Sequence, residues 1–320
     1  MTTATTARHS NLDWVLLVAL AAINQAAISV LPARFGSGIL FVLVMMALAA
    51  LMLWGFARLQ KRWERADAVF YGIAALCVSS LLYAIYFVFM NTPAAQAAAG
   101  GLAQKIFYFH VPVAYGVYVC GGICLWASAA YLMRPSEKWN AWAKAGAEGA
   151  ALFGALVMCS GPLWAKKAWG VYWTWDPRLT TLLLSVLIYV AVVLLRAFTG
   201  DGRAERQFAA ALGVLGTVNL PIIHYSVQKW GGNHPTVVTK GGGGLGDPAM
   251  YHALWLSSWA ITVLLVALLV WLRCRSALLS ATLANTWQEA MARGLVDHWS
   301  DEPAPRPIAE GVGSKSPSLD

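Results

Sequence analysis

Charge is what this chain has least of. Only 12% of its 320 residues are Asp, Glu, Lys or Arg, about half the share of an ordinary soluble domain. A water-exposed enzyme surface cannot be built from so little, and the net charge of +8 is too modest to call for a nucleic-acid partner. Cysteine is scarce as well. Cys77, Cys120, Cys124, Cys159 and Cys274 all fall in or beside apolar runs, where thiols act as small fillers. Cys120 and Cys124 form a C-x3-C pair and lack the C-x-x-C spacing of redox or covalent attachment motifs. The first apolar run has no clear small-residue cleavage site, so it is not read as a removable leader. The glycine run at 241–244 lacks the strand-to-helix setting that a phosphate cradle needs and reads as slack.

Apolar length is what the chain has in quantity. It is 59% hydrophobic, with a mean hydropathy of +0.58. Eight runs reach or approach the length of roughly 17 to 25 residues needed to cross a bilayer: 14–31, 37–57, 68–90, 111–133, 147–163, 179–195, 208–224 and 251–272. The expected fold is therefore all-α, a polytopic helical membrane protein of about eight transmembrane helices. With both termini on the cytoplasmic side, sixteen Lys and Arg lie inside and seven outside, the asymmetry of an N-in, C-in protein. The outer side then carries just two acids, Asp176 and Asp247, and is net positive. Such a surface suits an anionic ligand.

Three segments follow. Residues 1–67 form an N-terminal extension with a transmembrane hairpin, whose Asn24 and Gln25 read as interhelical glue. Residues 68–275 form a six-helix core. Residues 276–320 form a cytoplasmic tail, with Leu278, Leu279, Leu283, Trp287, Met291 and Leu295 spaced as an amphipathic helix on membrane lipid. A Pro-, Ser- and charge-rich end from Asp301 completes it.

The chemistry concentrates in Trp169-Gly170-Val171-Tyr172-Trp173-Thr174-Trp175-Asp176-Pro177-Arg178-Leu179-Thr180, between spans five and six. Three tryptophans, a tyrosine, an acid and an arginine in twelve residues exceed what an interfacial aromatic belt requires. A wide, flat, mostly apolar ligand with an anionic edge requires both the aromatic faces and the cation. Haem is such a ligand. Asp176-Pro177 is also a good helix start, with Asp as N-cap and Pro at the first position. A capping and a chemical role for Asp176 both stand at this point.

Of six histidines, His9 and His298 lie in polar cytoplasmic settings. His110, two residues before Pro112 at the expected first turn of span four, and His224, just after Pro221, share a setting at outer helix ends beside Tyr. Two imidazoles at one depth would saturate a haem iron. His234 and His252 are alternatives without that aromatic and proline setting.

Residues 169–180 resemble, without a gap, the tryptophan-rich WWD signature W-G-x-x-W-x-W-D-x-R-L-T of haem-handling proteins of cytochrome c maturation. Tyr108-Phe109-His110-Val111-Pro112, the segment 218–227 around His224, and Asp247-Pro248-Ala249-Met250 resemble the CcmC family within that group. The likeness covers roughly 68 to 275.

It implies a bacterial inner-membrane protein that holds haem b on the periplasmic side. His110 and His224 would be the axial ligands, with Trp169, Gly170, Trp173, Trp175 and Asp176 on the WWD surface. The cargo would pass to the chaperone CcmE, beside the transporter subunits CcmA and CcmB and the small protein CcmD. Arg178, Lys166 and Lys167 are added from the residues themselves, as candidate partners of the propionates. Six spans suffice for the family's core, so the N-terminal hairpin and long tail are departures. The other readings are a cytochrome c synthetase of the CcmF or CcsA kind, which shares the signature, and a b-type cytochrome, which favours histidines at two membrane depths.

Overall fold

The computed structural model describes residues 66–95, 100–199, 202–234 and 247–294, with isolated positions between 19 and 58. These residues form α1 (Ala66–Asn91), a 3-10 turn (Gly101–Ile106), α2 (Phe107–Met133), α3 (Glu137–Trp169), α4 (Pro177–Phe198) and α5 (Arg203–Trp230). The last run is α6 (Pro248–Ser258), a π-helical segment (Trp259–Leu265) and α7 (Val266–Ala292). No strand occurs among the described residues. Among the described residues six helices are long and apolar enough to cross a membrane, and the all-α reading stands. Of the two N-terminal runs expected to span the membrane, only scattered positions such as Met45, Ala49 and Met52 are described, helical and buried. Asn24, Gln25, His9, His298, Leu295, the glycine run and the tail beyond 294 lie outside the described residues.

Local chemistry sets the starts of three helices. Ser136 caps α3 by accepting from Trp139 N (3.3 Å), Asp176 caps α4 and Asp247 caps α6, each satisfying an orphan N–H. Pro177 and Pro248 take the first helical positions, where no N–H is missed. The expectation for Pro112 needs correction. The 3-10 turn leads straight into α2 at Phe107, so Pro112 sits inside the helix and removes one backbone bond there. The tail is helical as far as Ala292, where it continues α7, which runs unbroken from Val266. The described residues up to Leu278 form one compact unit, and those from Leu279 form another.

Lipid offers no hydrophobic drive between helices, so close packing and polar bonds must hold them. A Cβ at Gly146 of α3 would lie 2.6 Å from Cys124 N of α2, so the two backbones touch there. Cys120 and Cys124 are buried fillers at that crossing, as expected, but Cys159 is exposed. Tyr189 Oη bonds Thr217 Oγ1 (2.9 Å), joining α4 to α5, and Asn219 Nδ2 donates to Ser185 Oγ (2.8 Å). Away from the histidines, Arg206 pairs with Glu137 (2.5 Å), and Arg273 donates twice to Glu148.

The last run is the buried centre: 89% of its apolar window is covered, against 44% or less in the other five. Its π segment meets α2 through Thr262 Oγ1, which donates to Pro112 O (2.8 Å). Antiparallel pairing brings the starts of α2, α4 and α6 to the same end as the close of α3 and α5. That end carries His110, His224 and the Trp-rich stretch.

Candidate functional site

The aromatic stretch begins where α3 stops. Gly170 takes a left-handed conformation (φ 77°), which ends the helix without the strain an L side chain would suffer there. Lys166 Nζ folds back to donate to the Gly170 carbonyl (2.9 Å), 5.2 Å above the Tyr172 ring centroid. One of the two candidate lysines is thus engaged locally. Trp169 packs edge-on against Trp164 (5.2 Å), whose Nε1 donates to Gln104 Oε1 (3.3 Å) in the 3-10 turn. Trp173 and Trp175 meet edge to face at 5.8 Å. Trp175 is 76% exposed and Tyr172 58%, an open aromatic surface. Beneath it, Trp173 Nε1 and Thr174 Oγ1 are buried without a protein partner.

Asp176 closes the stretch and does two things. Its Oδ1 accepts from Leu179 N (3.0 Å), so the cap is made. Its Oδ2 is buried and has no protein partner. The chain leaving α5 passes directly over it: at Gly232 (φ 141°) a Cβ would stand 2.8 Å from Oδ2. A capping residue needs one oxygen. The second is a polar group left over in a buried place, where an unmade bond costs about 1 to 3 kcal/mol.

Arg178 is the second residue of α4 and reaches across to α5. Its Nε donates to Ile223 O (3.2 Å), Nη2 to His224 O (2.9 Å) and Nη1 to His234 Nδ1 (3.0 Å). Three of its five N–H donors are therefore spent, two on the α5 segment that carries His224 and one on His234 beyond that helix. The structure brings Asp176, Arg178, His224 and His234 together. His224 is half-buried, with Tyr225 edge-on at 4.9 Å.

His110 is seated on the other side, between α2 and α3. Its Nδ1 is 2.8 Å from Ser160 Oγ, and a Cβ at Gly161 would stand 3.2 Å from its Cε1. Neither residue was singled out from the sequence, because contacts made fifty residues away leave no local pattern. His252 is placed apart, stacked on Phe87 of α1 at 4.7 Å. No cluster of three or more His, Cys, Asp or Glu able to hold a bare metal ion occurs among the described residues.

The family model described as "CcmC: Heme exporter protein C" matches residues 52–289. Similar curated proteins include "Heme exporter protein C" of Bradyrhizobium diazoefficiens, 37% identical over 170 residues, 52% of this chain and 64% of that one. The chain thus spans just under two thirds of that relative's length. The Escherichia coli K12 protein of the same name is 33% identical over 190 residues, 58% of this chain and 75% of that one. The Marchantia polymorpha "Putative cytochrome c biosynthesis ccmC-like mitochondrial protein" is 30% identical over 146 residues, covering 44% and 60%. With three quarters of its length inside the family match, this chain belongs to the heme exporter protein C family.

Proposed function

We propose that this protein holds haem b at the histidine-bearing end of the bundle and hands it on during cytochrome c maturation. Haem is cargo here. The residues present fit it. An exposed aromatic surface offers flat apolar contact to the porphyrin, and His110 and His224 supply two imidazoles from facing helices. The orphaned Trp173 Nε1, Thr174 Oγ1 and Asp176 Oδ2 are polar groups awaiting a partner. Arg178 retains two N–H donors for an anionic edge, so its clamping of α5 and a propionate contact are compatible. The observation that carries the reading is that this surface and both histidines share one end of the bundle.

The resemblance extends the reading to the periplasmic face of a bacterial inner membrane, to CcmE as recipient, and to CcmA, CcmB and CcmD as associates. It also supports residues 68–275 as the haem-handling core, with the hairpin and tail as additions. The test is the absorption spectrum of the detergent-purified protein from haem-replete cells. About one low-spin, six-coordinate b-type haem per chain is expected, since two imidazoles fill both axial positions. A colourless protein that still supports cytochrome c maturation overturns it.

A further inference from the structure

We infer that Ser160 is a positioning residue: its hydroxyl holds His110 in the Nδ1–H tautomer and so reserves the Nε2 lone pair for a ligated iron. The inference rests on the proposed haem-binding function for its purpose, but its physical basis is a hydrogen-bond chain that exists without haem. Ser160 Oγ stands 2.8 Å from the Leu156 carbonyl and 2.8 Å from His110 Nδ1. A hydroxyl carries a single hydrogen, and a carbonyl can only accept. If that hydrogen pointed at the imidazole, two oxygen lone pairs would face each other at 2.8 Å across Ser160 and Leu156.

The hydroxyl therefore donates to Leu156 O, and its own lone pair accepts from the ring. That makes Nδ1 the protonated nitrogen. In a neutral imidazole the proton is present on one nitrogen only, so Nε2 keeps its in-plane lone pair. The relay Nδ1–H to Oγ–H to C=O polarises in one direction, each bond strengthening the next. Gly161 adds a steric condition. With a hydrogen in place of Cβ, α3 lets the Cε1 edge of the ring approach to where a methyl would stand 3.2 Å away. Ring position and tautomer are thus both set by two consecutive residues of α3. Metal-binding histidines commonly carry such an outer partner, and losing it typically costs about 10- to 100-fold in affinity.

The contrast with His234 sharpens the assignment. There Nδ1 accepts from Arg178, so the same rule puts the proton on Nε2 and leaves that ring unable to ligate through it. The two histidines are held in opposite tautomers, and only His110 is held in the form an iron can use.

The experiment has two arms on the full-length protein in detergent. In the haem-free protein labelled with 15N-histidine, with His110→Ala used to assign the signal, long-range 1H–15N spectra report which nitrogen is protonated. The Nδ1–H pattern is expected in the unsubstituted protein. In Ser160→Ala a mixture is expected, and Ser160→Thr should restore the first pattern, because its hydroxyl can still reach the carbonyl four residues back. In the second arm haem b is titrated in. Ser160→Ala should bind about 10- to 100-fold more weakly and show a raised Fe(III)/Fe(II) potential, with Ser160→Thr close to the unsubstituted protein. An Nε2–H pattern for His110 overturns the inference. So does Ser160→Ala matching the unsubstituted protein in affinity and potential. Absence of haem uptake by the unsubstituted protein overturns the proposed function instead, and the first arm still decides the role of Ser160.

Discussion

Replacing Arg178 by Lys keeps the positive charge and removes the planar fork that ties α4 to α5. The fork makes three bonds at once, at 2.9, 3.0 and 3.2 Å, to acceptors on two segments. An ammonium is a point donor on a flexible stem and cannot meet those acceptors from the guanidinium's plane. With one bond kept and two lost, at about 1.5 kcal/mol each for a charged donor, the loss is about 3 kcal/mol. Two of the three acceptors are the Ile223 and His224 carbonyls, so at least one of these is lost and the loss falls on the placement of the His224 ring. Expressed wholly in binding, it is about 100-fold in haem affinity. The assay is titration of haem b into the detergent-solubilised protein, followed at the Soret band, with thermal unfolding measured in parallel. Haem dimethyl ester, which lacks propionate charge, is the control. If Arg178 acts through α5, Arg178→Lys loses affinity for haem and its ester alike. Undiminished affinity in Arg178→Lys, together with a large loss for the ester in the unsubstituted protein, refutes the clamp and leaves Arg178 as a propionate partner only.

Asp176→Asn retains the capping oxygen and removes the charge at the buried Oδ2. It should accumulate normally in membranes yet transfer haem to CcmE poorly, while Asp176→Ala should further lose about 0.5 to 2 kcal/mol of helix stability. Full transfer by Asp176→Asn would reduce the acid to a cap. His110→Ala and His224→Ala should each give a five-coordinate or empty site by absorption and EPR, whereas His252→Ala, on its Phe87 stack, should leave the spectrum unchanged. A larger change from His252→Ala or His234→Ala would overturn the axial pair. Gly146→Ala forces a methyl to within 2.6 Å of the α2 backbone and should cost about 1 to 3 kcal/mol, read as lost yield and lower thermal stability with no change in spectral type.

What the sequence made legible is what depends on local chemistry. Six apolar runs lie where six helices form, because span length is imposed by the bilayer and not by neighbours. Asp176-Pro177 announced a helix start, since a cap needs only residues three apart. The beginning of α2 was misplaced: Pro112 resembles a first-turn proline, but the 3-10 turn from Gly101 feeds the helix five residues earlier. Arg178 read as a ligand cation because its acceptors are backbone carbonyls 45 and 46 residues away, which no side-chain pattern reveals. Ser160 and Gly161 looked like ordinary small residues of a membrane helix. Only the crossing of α2 and α3 gives them an imidazole to hold.

The π segment at Trp259–Leu265 carries a consequence for how this chain tolerates change in length. A π turn is an α-helix holding a surplus residue, so the flanks on either side of it are already out of phase with a regular helix. Losing one residue from within it converts the turn to regular helix and leaves α6 and the start of α7 facing as they did. Losing one from the regular stretch that follows would swing everything beyond it by about 100° and turn the buried face of Trp271 and Cys274 toward lipid. The centre of the bundle therefore holds, at Trp259–Leu265, a short window in which a codon can disappear without rotating the helix.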